Sequence, residues 1–289
     1  MNEKTKSLEK VGLGFAVMFG IFWLYSLFIA KYLNINYIFN NIIGLICLYG
    51  VGMALFIVIT KNIPNSEIKK KRISFRTIFY CFLLQFTATM LMSIVVNIVT
   101  QIAGGDINNA LDNINILTPF NLFLLLMFNP IIEEFVFRKL VADKLLKHGE
   151  LFYILASSFC FAIVHGISLG IPQVLYTFIL GMIWSYLYVK TGRLIIPIIL
   201  HSLSNIFSGI IISIVQGISQ EALGMYSIFM MLMAIIGLIC FIKNKKKISL
   251  DGENKLIKKS ILNDIFINKG MICYIILTVT MFVLKNFIK

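Results

Sequence analysis

The stretch YIFNNIIGLICLYGVGMALFIVIT, Tyr37–Thr60, decides the fold class of this protein. It contains no Asp, Glu, Lys, Arg or His. It is also longer than the ~20 apolar residues that a helix needs to cross the hydrocarbon core of a bilayer. The stretch is therefore predicted to be a membrane-spanning helix.

Similar apolar runs lie on both sides of this stretch. The chain has 289 residues, of which 59% are hydrophobic and 13% are charged, against ~45–50% and ~25% in soluble domains. A soluble protein could not bury so much apolar surface and keep a polar exterior. We predict an all-α polytopic transmembrane helical bundle of about eight helices, with a ninth span at the C-terminus. The predicted spans are Val11–Ala30, Tyr37–Thr60, Thr77–Ala103, Pro119–Val141, Leu151–Ile167, Pro172–Val189, Ile195–Val215, Leu223–Ile242 and Met271–Ile288.

The net charge of +13 is interpreted as a topology signal. Lys and Arg gather in alternate connections, which is typical of cytoplasmic loops. With the N-terminus in the cytoplasm, only Lys31, Lys285 and Lys289 of the 26 basic residues fall on the opposite side. The protein is predicted to lie in a bacterial plasma membrane with the lipid bilayer as its partner. Attraction to anionic lipid explains the basic runs, and nucleic-acid binding is not predicted.

The domain organisation follows the same runs. Residues 1–242 are predicted to form one helical domain, residues 243–270 a basic cytoplasmic linker, and residues 271–289 an additional transmembrane helix. The first span lacks a small-residue cleavage site, so it is predicted to be retained rather than removed as a signal peptide. The five cysteines are isolated within apolar runs, as small buried hydrophobic side chains are.

Ionisable side chains within the spans indicate a functional site, because each is costly in lipid unless it is paired or in use. The stretch Phe135–Lys147 lacks Gly and Pro, so the fourth helix is predicted to continue to a turn at Gly149. Glu133 lies 16 residues before Gly149 and His165 lies 16 residues after it. An antiparallel helix hairpin would bring the two to the same depth. His201 begins the matching layer on the seventh span.

Each group also has a structural interpretation. Glu134 and Arg138 are spaced i, i+4 in the order that favours an ion pair, so they are predicted to support the site. His165 alone is as consistent with helix packing as with catalysis. His201 and Asn205 alone fit polar contacts between membrane helices.

Taken together, these groups match the needs of hydrolysis. Glu133 would serve as a general base, His165 would share its water, and His201 and Asn205 would donate to an oxyanion. A proton relay through Glu133, His165 and His201 in a proton-coupled transporter is the alternative. The repeated broken helices that would favour a transporter are not evident.

Three motifs in this order resemble the CAAX protease and bacteriocin-processing family, which includes type II CAAX prenyl proteases and Abi proteins. The motifs lie within residues 117–207 and are EExxxR (Glu133, Glu134, Arg138), FxxxH (Phe161, His165) and HxxxN (His201, Asn205). The predicted ninth span goes beyond the eight-helix core of that family.

The resemblance implies an intramembrane endopeptidase that hydrolyses a peptide bond without a covalent intermediate. The implied roles are activation of water by Glu133 with His165, oxyanion stabilisation by His201 and Asn205, and support of the site by Glu134, Arg138 and Phe161.

No cofactor is predicted. Zinc held by Glu133, His165 and His201 is the alternative, because two His and one Glu bind catalytic zinc in other proteases. The HExxH motif is absent, and Asn205 suits an oxyanion donor better than a zinc ligand. The resemblance also implies a membrane-associated, lipidated or hydrophobic peptide substrate. Pheromone or bacteriocin processing, or self-immunity, is favoured over CAAX maturation, and an inactive immunity or scaffold protein is a further alternative.

Overall fold

The computed structural model describes residues 3–103, 115–251 and 259–287. Within these ranges the chain is helical and contains no strand, so the all-α prediction is confirmed. The helices are α1 Glu3–Tyr32, α2 Tyr37–Thr60, α3 Phe75–Ala103, α4 Pro119–His148, α5 Glu150–Leu169, α6 Ile171–Thr191, α7 Ile195–Ile218, α8 Gln220–Asn244, α9 Lys259–Phe266 and α10 Lys269–Phe287.

Helices α1 to α8 each contain a stretch that is long and apolar enough to cross a membrane. The chain is therefore an integral membrane protein, as predicted. Helix α10 occupies the predicted ninth span, and its crossing of the membrane stays a prediction. Helix α9 lies inside the predicted linker, so that linker contains a helical segment.

Local sequence explains where α4 begins and ends. Thr118 precedes the helix and its hydroxyl accepts a hydrogen bond from the Asn121 amide at 3.3 Å, while Pro119 occupies the first turn. The helix then continues without interruption past Arg138 to His148, which confirms the predicted continuation. It stops at Gly149, whose φ of 107° is accessible to glycine but strained for other residues.

The chain divides into two compact units. The first comprises Met1–Glu67, Leu140–Ala156 and Asp251–Lys289, and the second comprises Ile68–Lys139 and Ser157–Leu250. Helices α4 and α5 each contribute residues to both units.

In the first unit, α1 packs against α2 and α10. A Cβ added at Gly12 would come within 2.6 Å of the backbone at Gly270, so these glycines let α1 and α10 approach closely. Phe15 lies between the other two helices. Its ring centroid is 4.8 Å from that of Phe56 on α2 and 5.7 Å from that of Tyr274 on α10. The C-terminal helix is thus tied to the N-terminal helix.

In the second unit, α3 packs along α8 and also contacts α6. A Cβ added at Gly237 of α8 would lie 2.4 Å from a carbonyl oxygen of α3. The Thr87 hydroxyl donates to the Ala234 carbonyl at 2.8 Å. Between α3 and α6, the Trp184 indole donates to the Gln85 side-chain oxygen at 3.2 Å. These contacts hold α6 in the unit that contains the candidate site.

Candidate active site

Helices α4, α5 and α7 bring three ionisable side chains together within the second unit. Glu133 Oε2 on α4 lies 4.0 Å from His165 Nε2 on α5 and 3.9 Å from His201 Nε2 on α7. The depth predicted by counting residues from Gly149 is therefore confirmed. Both distances exceed a direct hydrogen bond, and a water molecule between Glu133 Oε2 and an imidazole nitrogen would span either of them.

The neighbouring glutamates Glu133 and Glu134 differ in how accessible their side chains are to water-sized molecules. The Glu133 side chain is 16% exposed and that of His165 is 20% exposed. The side chains of Glu134 and Arg138 are fully buried at 0%. Glu133 is therefore the carboxylate that a small molecule can reach.

Glu134 and Arg138 form the intrahelical ion pair that their spacing predicted. Arg138 Nε lies 2.9 Å from Glu134 Oε2, and Arg138 Nη2 donates to Oε1 at 3.3 Å. The guanidinium also lies over the Phe161 ring at 4.7 Å and donates to the Ser157 hydroxyl at 3.4 Å. A buried charge needs such partners, because an isolated one is strongly destabilising.

Glu134 has a second partner that the sequence did not reveal. His201 Nδ1 donates to Glu134 Oε1 at 3.0 Å. Because Glu134 is paired with Arg138, its carboxylate is the acceptor and His201 carries the hydrogen on Nδ1. This bond fixes the ring so that Nε2 faces Glu133.

His165 is oriented by the backbone of its own helix. Its Nδ1 lies 2.7 Å from the Phe161 carbonyl oxygen. A carbonyl can only accept, so Nδ1 carries the hydrogen and Nε2 of the neutral ring is an acceptor. The Phe161 ring lies 4.5 Å from the imidazole, centroid to centroid. The Phe161 ring thus contacts the imidazole, and the Phe161 carbonyl orients it.

Trp184 is a site residue that sequence reasoning missed. Its ring stacks on His201 with centroids 4.2 Å apart and an interplanar angle of 19°. The chain contains only two tryptophans, and Trp184 lies well inside a span rather than in the interfacial belt where membrane tryptophans are usually found. This unusual depth was the sequence signal that could have identified Trp184 as a site residue. A buried indole N–H needs a partner, which Gln85 provides.

Asn205 lies one turn beyond His201 on α7, but its hydrogen bond within the described residues does not go to Glu133 or the histidines. Its Nδ2 donates to the Leu125 carbonyl of α4 at 2.8 Å. The neighbouring Ser202 hydroxyl donates to the Leu126 carbonyl at 2.8 Å. A side-chain amide has two N–H hydrogens, so this bond to Leu125 uses one of the two donors of Asn205.

The distances around Glu133 fit water better than zinc. Zinc ligands lie ~2.0–2.2 Å from the ion in a tetrahedral arrangement. With Glu133 Oε2 3.9 and 4.0 Å from the two Nε2 atoms, a zinc ion bound to these atoms would need ligand angles of about 125–180°, wider than the ~109° of a tetrahedron. Water with hydrogen bonds of ~2.8 Å spans the same separations at about 90°. Among the described residues, no group of three His, Cys, Asp or Glu is placed to hold a metal ion.

Residues 115–207 match the family model described as type II CAAX prenyl endopeptidase Rce1-like. This segment contains all seven motif residues. The resemblance to the CAAX protease family that the motifs predicted is therefore confirmed over this segment.

Two curated bacterial proteins are similar to the chain. The membrane-embedded CAAX protease MroQ of Staphylococcus aureus (strain USA300) is 36% identical over 159 residues, which cover 49% of this chain and 59% of that protein. The putative membrane peptidase YdiL of Bacillus subtilis (strain 168) is 34% identical over 79 residues, covering 27% of this chain and 31% of that protein. The chain thus spans less than two thirds of either relative. No solved structure matches the chain at a significant level.

Proposed function

We propose that this protein is an intramembrane endopeptidase that hydrolyses a peptide bond of a hydrophobic or lipidated peptide. The observation that carries the proposal is the position of Glu133 Oε2, 3.9 and 4.0 Å from two imidazole Nε2 atoms. The family match over residues 115–207 supports the same reaction class.

Glu133 and His165 prepare the attacking water. In this mechanism the water donates one hydrogen to Glu133 Oε2 and the other to the unprotonated Nε2 of His165. Its lone pair is then directed at the substrate carbonyl carbon. As the new C–O bond forms, one proton passes to Glu133. When the C–N bond breaks, Glu133 returns that proton to the leaving nitrogen.

His201 and Asn205 stabilise the tetrahedral oxyanion. In the form that has taken up a proton from water before the substrate binds, His201 carries a hydrogen on both ring nitrogens. Its Nδ1 donates to Glu134 and its Nε2 donates to the oxyanion. The imidazolium so formed interacts favourably with the Glu134 carboxylate and with the face of the stacked Trp184 ring. Asn205 contributes its second amide hydrogen.

The proposed substrate follows from the lipid environment and from the relatives. The site lies within spans that are otherwise almost free of ionisable groups, so a substrate that reaches it from the lipid or from the cytoplasmic side meets mainly apolar side chains. MroQ is named a CAAX protease and YdiL a putative membrane peptidase, which supports a membrane-associated peptide as substrate. We favour bacterial peptide-pheromone or bacteriocin processing, or self-immunity.

The decisive experiment measures cleavage by the protein in proteoliposomes. The probes are a prenylated peptide that ends in a CAAX sequence and a hydrophobic peptide without lipid. We expect Glu133→Gln to lower kcat by about 10²–10⁴-fold, because the amide cannot accept the proton. Glu221→Gln is the matched control, since Glu221 is exposed on α8, and should retain full activity. Full activity of Glu133→Gln would overturn the mechanism.

The same assay tests the metal-free mechanism. We expect a zinc chelator to leave the cleavage rate unchanged, because the distances around Glu133 suit water. A loss of activity that zinc alone restores would instead assign Glu133, His165 and His201 as zinc ligands.

A further inference from the structure

Pro130 interrupts the backbone hydrogen bonding of α4 one turn before Glu133. Proline has no amide hydrogen. It therefore cannot donate to the carbonyl four residues earlier, Leu126, as an α-helix requires, or to the carbonyl five residues earlier, Leu125, as a π-helix requires. The stretch Leu124–Phe128 is π-helical, and the Asn129 amide that follows donates to Leu124. Neither Pro130 nor the Asn129 amide therefore donates a hydrogen bond to the carbonyls of Leu125 and Leu126.

Both of these carbonyls accept hydrogen bonds from α7 instead. Ser202 Oγ donates to Leu126 O, and Asn205 Nδ2 donates to Leu125 O, each at 2.8 Å. The Ser202 hydroxyl also lies 3.0 Å from the Ile198 carbonyl of its own helix. In lipid there is no water to replace a missing backbone donor, so the two donors from α7 compensate for the amide hydrogen that Pro130 lacks.

We propose that Ser202 and Asn205 are positioning residues that set the register between α4 and α7. Ser202 adjoins His201, Asn205 lies one turn beyond it, and Pro130 lies one turn before Glu133. The two hydrogen bonds therefore join the helices beside the contact between Glu133 and His201. Asn205 acts here through Leu125, in addition to its role toward the oxyanion. This inference rests on the proposed peptidase function, because its main readout is catalysis.

The test is a double-mutant cycle between Ser202 and Pro130, measured as kcat and KM on the hydrophobic peptide. We expect Ser202→Ala to lower kcat by about tenfold and to change KM by less than about twofold, since a small displacement of catalytic groups slows chemistry. In the Pro130→Ala background the alanine supplies a backbone N–H that can serve Leu126, so Ser202→Ala should change kcat by less than about twofold.

Two controls separate positioning from other effects. Ser227→Ala removes a hydroxyl that bonds within its own helix, to the Leu223 carbonyl, and should leave kcat unchanged. Ser202→Thr keeps the hydroxyl and should retain activity near that of the unmodified protein. An equal loss for Ser202→Ala in both backgrounds, or a loss no larger than that of Ser227→Ala, would overturn the proposal. If Pro130→Ala does not fold, the kcat of Ser202→Thr is compared with that of Ser202→Ala. Equal losses of kcat in the two variants would overturn the proposal.

The failure of the proposed function would be recognised separately. If the unmodified protein cleaves neither probe, the same cycle is followed by melting temperature in detergent. A change in melting temperature caused by Ser202→Ala that vanishes in the Pro130→Ala background would support the hydrogen-bond arrangement even if the protein is not a peptidase. Additive shifts would contradict it.

Discussion

At the scale of single residues, two adjacent glutamates occupy opposite environments. Glu133 is partly exposed beside two imidazoles, whereas Glu134 is fully buried between Arg138 and His201. Glu134 therefore joins the ion pair to the ring that faces Glu133. Its support of the site is more direct than the i, i+4 spacing alone predicted.

Glu134→Gln should destabilise the protein and slow the proposed reaction together. The substitution removes the negative charge that Glu134 supplies to the buried guanidinium, and breaking a buried pair in this way costs about 3–5 kcal/mol. It also weakens the orientation of His201. Melting temperature in detergent and kcat should both fall.

The matched control is Glu3→Gln. Glu3 pairs with Lys147 at 2.6 Å, but its side chain is 70% exposed, and exposed pairs contribute little. We expect no change in melting temperature for this variant. A Glu134→Gln protein as stable as the Glu3→Gln protein would contradict the role of the buried pair.

At the scale of helices, α4 and α7 each contain a π-helical segment at their motif residues. Phe135–Leu140 comes directly after Glu134, and Ile206–Ile210 comes directly after Asn205. Such segments frequently occur at functional sites. The i, i+4 pairing of Glu134 with Arg138 survives across one of them.

The docking of α10 on α1 depends on small residues. A Cβ at Gly270 would lie 1.9 Å from the Glu9 carbonyl oxygen, so Gly270→Ala must push the helices apart. We expect a destabilisation of about 1–3 kcal/mol, seen as a lower melting temperature in detergent. Gly224→Ala is the control, because a Cβ there meets nothing within 4 Å. Equal stability of the two variants would mean that α10 does not require this close approach.

At the scale of the whole molecule, the distribution of Lys and Arg predicts the orientation in the membrane. Cysteines introduced at the exposed positions Lys70 and Asn34 should lie on opposite sides. A membrane-impermeant thiol reagent added to intact cells should label Asn34→Cys and leave Lys70→Cys unlabelled, relative to the unmodified chain. The reverse pattern would place the N-terminus outside.

Much of this organisation could be predicted from local sequence. Membrane spans depend on the length and polarity of each run, and both are properties of neighbouring residues. The equal spacing of Glu133 and His165 from Gly149 predicted that they lie at the same depth, since a hairpin aligns residues by their distance from its turn. The Glu134–Arg138 pair also follows from helical spacing alone.

Sequence by itself therefore determined the fold class, the spans and the identity of the central carboxylate. Tertiary structure alone decided that Glu134 binds His201, that Trp184 of α6 stacks on the same ring, and that Asn205 reaches the Leu125 carbonyl. These contacts join helices that are distant in the chain. The rotation of each helix about its own axis is set by packing against several neighbouring helices at once. No local sequence pattern contains that information. Lipid tails solvate every apolar face of a span about equally well, so the face that packs against another helix is set by the neighbouring helices and not by the span's own hydrophobicity.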